Sequence, residues 1–197
     1  MRLKILETGH RPLQKIPLTF IKLMNGGSVP GPILTMSYHR DLFGKYYAAC
    51  LQDAMRNASC WSLGEVELFA GFVSTLNSCP YCADGHSGVA ILGLNGDSEL
   101  VRAVLTNWRT APVNEKIRAM LGFLEKLTLT AEDITTQDVE VLRRAGLMDQ
   151  AIQEAVYVCF LFGVINRLAN TFDFGLASEK DPPFLYRRGY GSGSIPG

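Results

Sequence analysis

Apolar residues recur every three or four positions along most of the chain, the spacing of helices with one buried face, while strand patterns are weak. Leu42, Phe43, Tyr46, Tyr47, Cys50, Leu51, Ala54 and Met55 follow this period and predict a helix over 40–57. Ser62-Leu63-Gly64-Glu65 has the form of a capping box that opens a second helix, running to about Leu76. Asn77 suits a left-handed cap, and Pro80 suits the first turn of a third helix that ends at Gly93 and Gly96. Pro112 introduces "VNEKIRAMLGFLEKL", and Thr135 or Thr136 can cap "QDVEVLRRA", which Gly146 stops. Asp149 then opens the longest apolar helix, through "AIQEAVYVCFLFGVINRLANTF". A Pro/Gly-rich lead-in, "GGSVPGP" at 26–32, precedes these helices. The tail "SEKDPPFLYRRGYGSGSIPG" has no helical period and reads as disordered or as an arm lying on a partner subunit. No repeat or domain boundary interrupts the pattern. The fold class it predicts is an all-α bundle in a single domain over 1–197.

Composition narrows the function. Lys+Arg and Asp+Glu are both 19, and no basic run follows the chain, which argues against nucleic-acid binding. The N-terminal residues lack the apolar core of a secretory signal, and "IPLTFIKLM" is too short and too interrupted to span a bilayer. A cytoplasmic protein is the expectation. Five cysteines, at 50, 60, 79, 82 and 159, do not resemble a secreted disulfide framework. In a reducing compartment, a Cys-x-x-Cys pair points to catalysis or metal binding.

That pair lies in "CPYCADGH", residues 79–86. At 100° per residue, Cys79, Cys82 and His86 fall within roughly 60° of arc on one helix face, beside small residues. Cys82 sits in the first turn, where free backbone N–H groups favour an anion, so Cys82 is the cysteine expected to be acidic. On the preceding helix Glu67, Ala70, Gly71, Ser74 and Ser78 form one small and polar stripe. A close-packed hairpin would turn Glu67 toward the Cys/His surface. An offset of about 6 Å between Glu67 and His86 must then be closed by side-chain length, a skewed crossing or a water.

These spacings, Glu-x11-Cys-x-x-Cys-x3-His from Glu67 to His86, resemble the signature of the AhpD-like (alkylhydroperoxidase D) family, within the carboxymuconolactone decarboxylase superfamily. The downstream segment "APVNEKIRAMLGFLEKLTL…NRLANTFDF" looks like its peroxidase-related branch. The resemblance covers about 40–175, leaving an N-terminal extension (1–32) and a C-terminal arm (about 178–197). It implies a multi-helix bundle built around a helical hairpin carrying the CxxC motif, assembled as a homo-oligomer (dimer, trimer or hexamer). It implies a thiol-dependent hydroperoxide reductase without a bound cofactor, recycled by a lipoyl- or thioredoxin-like dithiol. Residue by residue, Cys82 matches the peroxidatic cysteine, Cys79 the resolving one, and His86 with Glu67 the proton-relay pair. Tyr81 departs from the prototype, which has histidine before the second cysteine.

Two other readings compete. An acid–base enzyme of the decarboxylase type has no need of the cysteine pair. A zinc-binding or redox-sensing module could use Cys79, Cys82 and His86 with Glu67 or His39, but no second CxxC supplies the usual partner pair. Cys50, Cys60 and Cys159 are expected to be ordinary thiols, and His10 and His39 to serve surface or loop roles. Asn166, Arg167, Asn170 and Asp173 are expected to cap, pair or meet a subunit.

Overall fold

The computed structural model describes residues 1–25, 27–176 and 190. Among them are ten α-helices and no strand: α1 (Ile5–Thr8), α2 (Pro12–Met24), α3 (Gly31–Tyr38), α4 (Lys45–Arg56), α5 (Leu63–Leu76), α6 (Pro80–Gly93), α7 (Ser98–Asn107), α8 (Glu115–Leu129), α9 (Thr136–Arg144) and α10 (Asp149–Phe172). A single π turn at Arg40–Gly44 runs into α4, so the helix expected over 40–57 is present with a wider first turn.

The capping box forms as its residues require. Ser62 N donates to Glu65 Oε2 at 2.7 Å, and Glu65 N donates to Ser62 Oγ at 3.3 Å. The left-handed residue between α5 and α6 is Ser78 (φ 51), not Asn77, the C-cap of α5, whose φ is −77. Gly146 (φ 83) ends α9, a conformation that a Cβ would strain. Asn114 caps α8 by accepting from Ile117 N at 2.9 Å.

Two parts of the architecture are not written in the apolar pattern. The segment 1–32 contributes α1, α2 and the start of α3. Helix α2 carries Pro17 in its interior and leaves Leu13, Ile16, Phe20 and Leu23 exposed, so the run lacks both signs of a buried helix. Helix α7, capped by Asp97 onto Leu100 N, lies between Gly96 and Pro112, where punctuation is dense. His10 is buried rather than at the surface, its Nε2 3.0 Å from the Leu34 carbonyl; His39 is exposed. Cys50 is exposed and Cys159 buried.

The core sits where α5, α8 and α10 meet, around Phe69, Leu68, Met120, Leu121, Leu124, Val158 and Phe162. Helix α10 is the one described helix long and apolar enough to cross a membrane, but it forms the central packing surface of this bundle. Trp61 Nε1 donates to the Ala151 carbonyl at 2.8 Å, and Glu154 receives the backbone N–H groups of Ser59 and Cys60. These bonds fix the start of α5 against α10.

Helices α5 and α6 form a tight hairpin. A Cβ on Gly64 would lie 2.6 Å from the Gly93 carbonyl carbon, and one on Gly71 would lie 3.1 Å from Ser87 Oγ. Small residues therefore set the separation of the two helices. The stripe of Glu67, Ala70, Gly71 and Ser74 is buried in this interface, not turned to water.

Candidate active site

Among the described residues Glu67 is the most enclosed charge, at 0 % exposure on the inner face of α5. Gly64 opposite Gly93 and Gly71 opposite Ser87 set a register that leaves Glu67 about one helical turn from His86, the offset its spacing predicts. Side-chain length closes it directly: His86 Nδ1 lies 2.7 Å from Glu67 Oε2. An ionised carboxylate can only accept, so Nδ1 carries the proton and Nε2 is left as a base. Glu67 Oε1 accepts from Arg56 at 2.7 Å, from the last turn of α4. Tyr190 O–H also reaches both carboxylate oxygens, at 3.0 and 3.3 Å.

Burial alone would push the Glu67 carboxyl up, but the hydrogen bond and charge of His86, and then Arg56, hold it below its ordinary value. Among the described residues, the charge of Arg56 offsets that of Glu67. Phe162 of α10 presents itself edge-on to His86, with ring centroids 4.5 Å apart at 89°. That contact restricts rotation of the ring.

The thiols occupy the start of α6. Cys79 takes the N-cap position (φ −109, ψ 88), Pro80 the first helical position, and Cys82 the first turn. Both sulfurs are unbonded to any other cysteine and buried, at 1 % and 2 % exposure. The acidic member is Cys79, not Cys82. The Cys82 thiol, the Cys82 backbone N–H and the Asn166 side chain favour a Cys79 thiolate, and its pKa falls from 9.0 to about 7 despite burial. Cys82, which donates in that arrangement and is itself desolvated beside a forming negative charge, is pushed well above its ordinary value. The helix-end field acts on both positions; donation by Cys82 decides which sulfur carries the charge. The two thiols therefore titrate as a unit that releases one proton readily and holds the second.

Asn166 faces this pair from α10. Its Nδ2 donates to Ser74 Oγ at 3.0 Å and its Oδ1 accepts from Asn77 at 3.0 Å, with the side chain buried. It does more than cap or pair, because it also lies against both sulfurs. Among the described residues, no three of His, Cys, Asp and Glu are arranged to hold a metal ion.

The structure thus gathers Glu67 and His86 at one end of the hairpin interface and Cys79 with Cys82 at the start of α6. Arg56, Asn166 and Tyr190 complete the site without a motif of their own. Asn166 had a visible signal, an amide interrupting an apolar helix near its end. Arg56 looks like any basic residue closing a helix, and Tyr190 stands between glycines in the tail. The tail otherwise lies outside the described residues, so the expected arm on a partner subunit can be followed only at Tyr190, which rests on its own chain.

No family model matches the chain, and no curated protein matches it. Solved structures do. A peroxidase-related protein of uncharacterised function from Silicibacter sp. TM1040 superposes with a TM-score of 0.74 at 29 % identity, covering 87 % of this chain and 90 % of that one. An AhpD-core peroxidase-related protein from Ralstonia eutropha JMP134 gives 0.73 at 22 %, covering 88 % and 90 %. The debrominase Bmp8 gives 0.69 at 19 %, covering 89 % and 91 %.

Proposed function

We propose that this chain, which has the AhpD-core fold of the peroxidase-related proteins, is a thiol-dependent hydroperoxide reductase. One observation carries the reading: a buried, unbridged Cys79/Cys82 dithiol stands on the same helix as an imidazole oriented by a buried carboxylate. A structural cysteine pair has no use for that arrangement.

At rest the charge lies on Cys79, and the Cys82 proton can pass to Cys79 or to His86 Nε2. The Cys82 thiolate then attacks the terminal peroxide oxygen. The O–O bond breaks, Cys82 becomes a sulfenic acid, and the leaving alkoxide takes the proton to become an alcohol. Cys82 is the assigned attacker because His86 follows it by one helical turn and can protonate the leaving group; Cys79 lies another turn away. Cys79 thiolate next displaces hydroxide from the sulfenic sulfur, giving the Cys79–Cys82 disulfide and, after protonation, water. Two thiols and one hydroperoxide yield one disulfide, one alcohol and one water. An external dithiol of lipoyl or thioredoxin type restores the pair by exchange. The catalytic set is Cys82, Cys79, His86 and Glu67, in a homo-oligomer.

The test is hydroperoxide consumption driven by a dithiol, with each cysteine replaced in turn. C79S should consume one equivalent and stop with a trappable sulfenic acid on Cys82. C82S should consume none. Turnover retained in C82S would overturn the reading.

A further inference from the structure

The relay has a fourth wall that the motif does not contain. Helices α4, α5 and α6 supply Arg56, Glu67 and His86; Tyr190 belongs to none of them and comes from the segment beyond the core. Its contacts are several and independent. The hydroxyl lies 3.0 Å from Glu67 Oε1 and 3.1 Å from His86 Nδ1. The ring stacks on the imidazole at 23° with centroids 5.8 Å apart, and the Arg56 guanidinium lies 4.7 Å above it. The backbone N–H is held by Gln52 Oε1 at 2.6 Å.

We infer that Tyr190 is a positioning residue for the Glu67–His86 pair, closing the relay from water and fixing the imidazole with its Nδ1 proton on the carboxylate. An apolar side chain would suffice as a cover. A phenol oxygen within reach of three polar atoms does more: it donates to Glu67 and can accept part of the Nδ1–H bond. Burial, and then the Glu67 charge, keep the phenol protonated far above neutral pH, so the donor persists through the working range. With Arg56 and His86 it gives the carboxylate three donors from three directions, leaving it one orientation. Without it, water would reach the pair, and both imidazole tautomers would become available.

This rests on the peroxidase reading for its kinetic consequence but not for its geometry, so two measurements are paired. The first is kinetic. Y190F and Y190A should each lower kcat about tenfold at unchanged KM for the hydroperoxide, the loss of one hydrogen bond to a charged group. The second is the nitrogen-15 histidine spectrum of the reduced protein, where only three histidines must be told apart and H86N assigns the third. Wild type should show His86 as a single Nδ1–H tautomer with slow proton exchange. Y190A should exchange that proton at least about tenfold faster and show mixed tautomers; Y190F, which keeps the ring, should shift the Nδ1 proton signal with slower exchange than Y190A. Wild-type kcat and wild-type His86 signals in both variants would overturn the inference. So would a normal Y190F beside a defective Y190A, since the ring alone would then be the functional part. If wild type consumes no hydroperoxide, the peroxidase reading falls while the spectra still decide the role of Tyr190.

Discussion

The two ends of the site solve opposite problems. At the Glu67 end the carboxylate is fully met: three donors surround it, the Arg56 guanidinium faces its charge, and Phe162 packs on the imidazole. At the Cys79 end the groups are left in competition. Two sulfurs share a proton beside a helix terminus, and an amide favours charge on either one. The first end is built to stay put, the second to change charge and bonding. A relay must hold its geometry while protons move through it, and a nucleophile must be poised between states, so the difference is what the proposed chemistry requires.

The strongest way to break this contrast is at the soft end. C82S should lower dithiol-driven hydroperoxide turnover by on the order of 10³ or more, read as consumption rate, with little change in the thermal unfolding midpoint. The rigid end should behave differently. E67Q should reduce turnover by roughly 10²-fold through the lost relay, and should also destabilise the fold by about 3–5 kcal/mol, because a buried ion pair is broken on one side. Denaturant unfolding measures the second effect.

The same carboxylate gives a pH signature. Its folded pKa lies below the ordinary 4.5, so its contribution to stability is fully present above that value. The contribution is lost as pH falls through the folded value, and E67Q should flatten that part of the stability curve. N166A should act on the thiols and not on the relay. By removing one of the groups that favours a Cys79 thiolate, it should move the alkylation midpoint upward from about 7, without altering the His86 spectrum. The smallest effect is expected away from both ends. S62A removes the cap of α5 and should cost about 1 kcal/mol in stability while leaving turnover near wild type.

Much of this was legible in the chain itself. The Ser62–Glu65 capping box, Pro80 at the first position of α6 and the small-residue stripe together prescribe the hairpin, because each acts through local geometry or close approach. The pairing of Glu67 with His86 was readable as an offset but not as a bond, since side-chain reach decides it. Helix α2 was not legible: Pro17 and its exposed Leu13, Ile16 and Phe20 contradict the usual signs of a buried helix. How Cys79 and Cys82 share the charge was not legible, because the helix terminus favours both, while donation between the thiols depends on side-chain geometry that spacing does not encode. Arg56 and Tyr190 reach the site through tertiary packing alone.

The most direct measurement is a single-turnover titration of the reduced protein with an organic hydroperoxide, followed by alkylation and peptide mapping. The account predicts that one equivalent removes two free thiols, recovered as a Cys79–Cys82 disulfide with Cys50, Cys60 and Cys159 still alkylated. Cys79 and Cys82 both remaining free after excess hydroperoxide would contradict it.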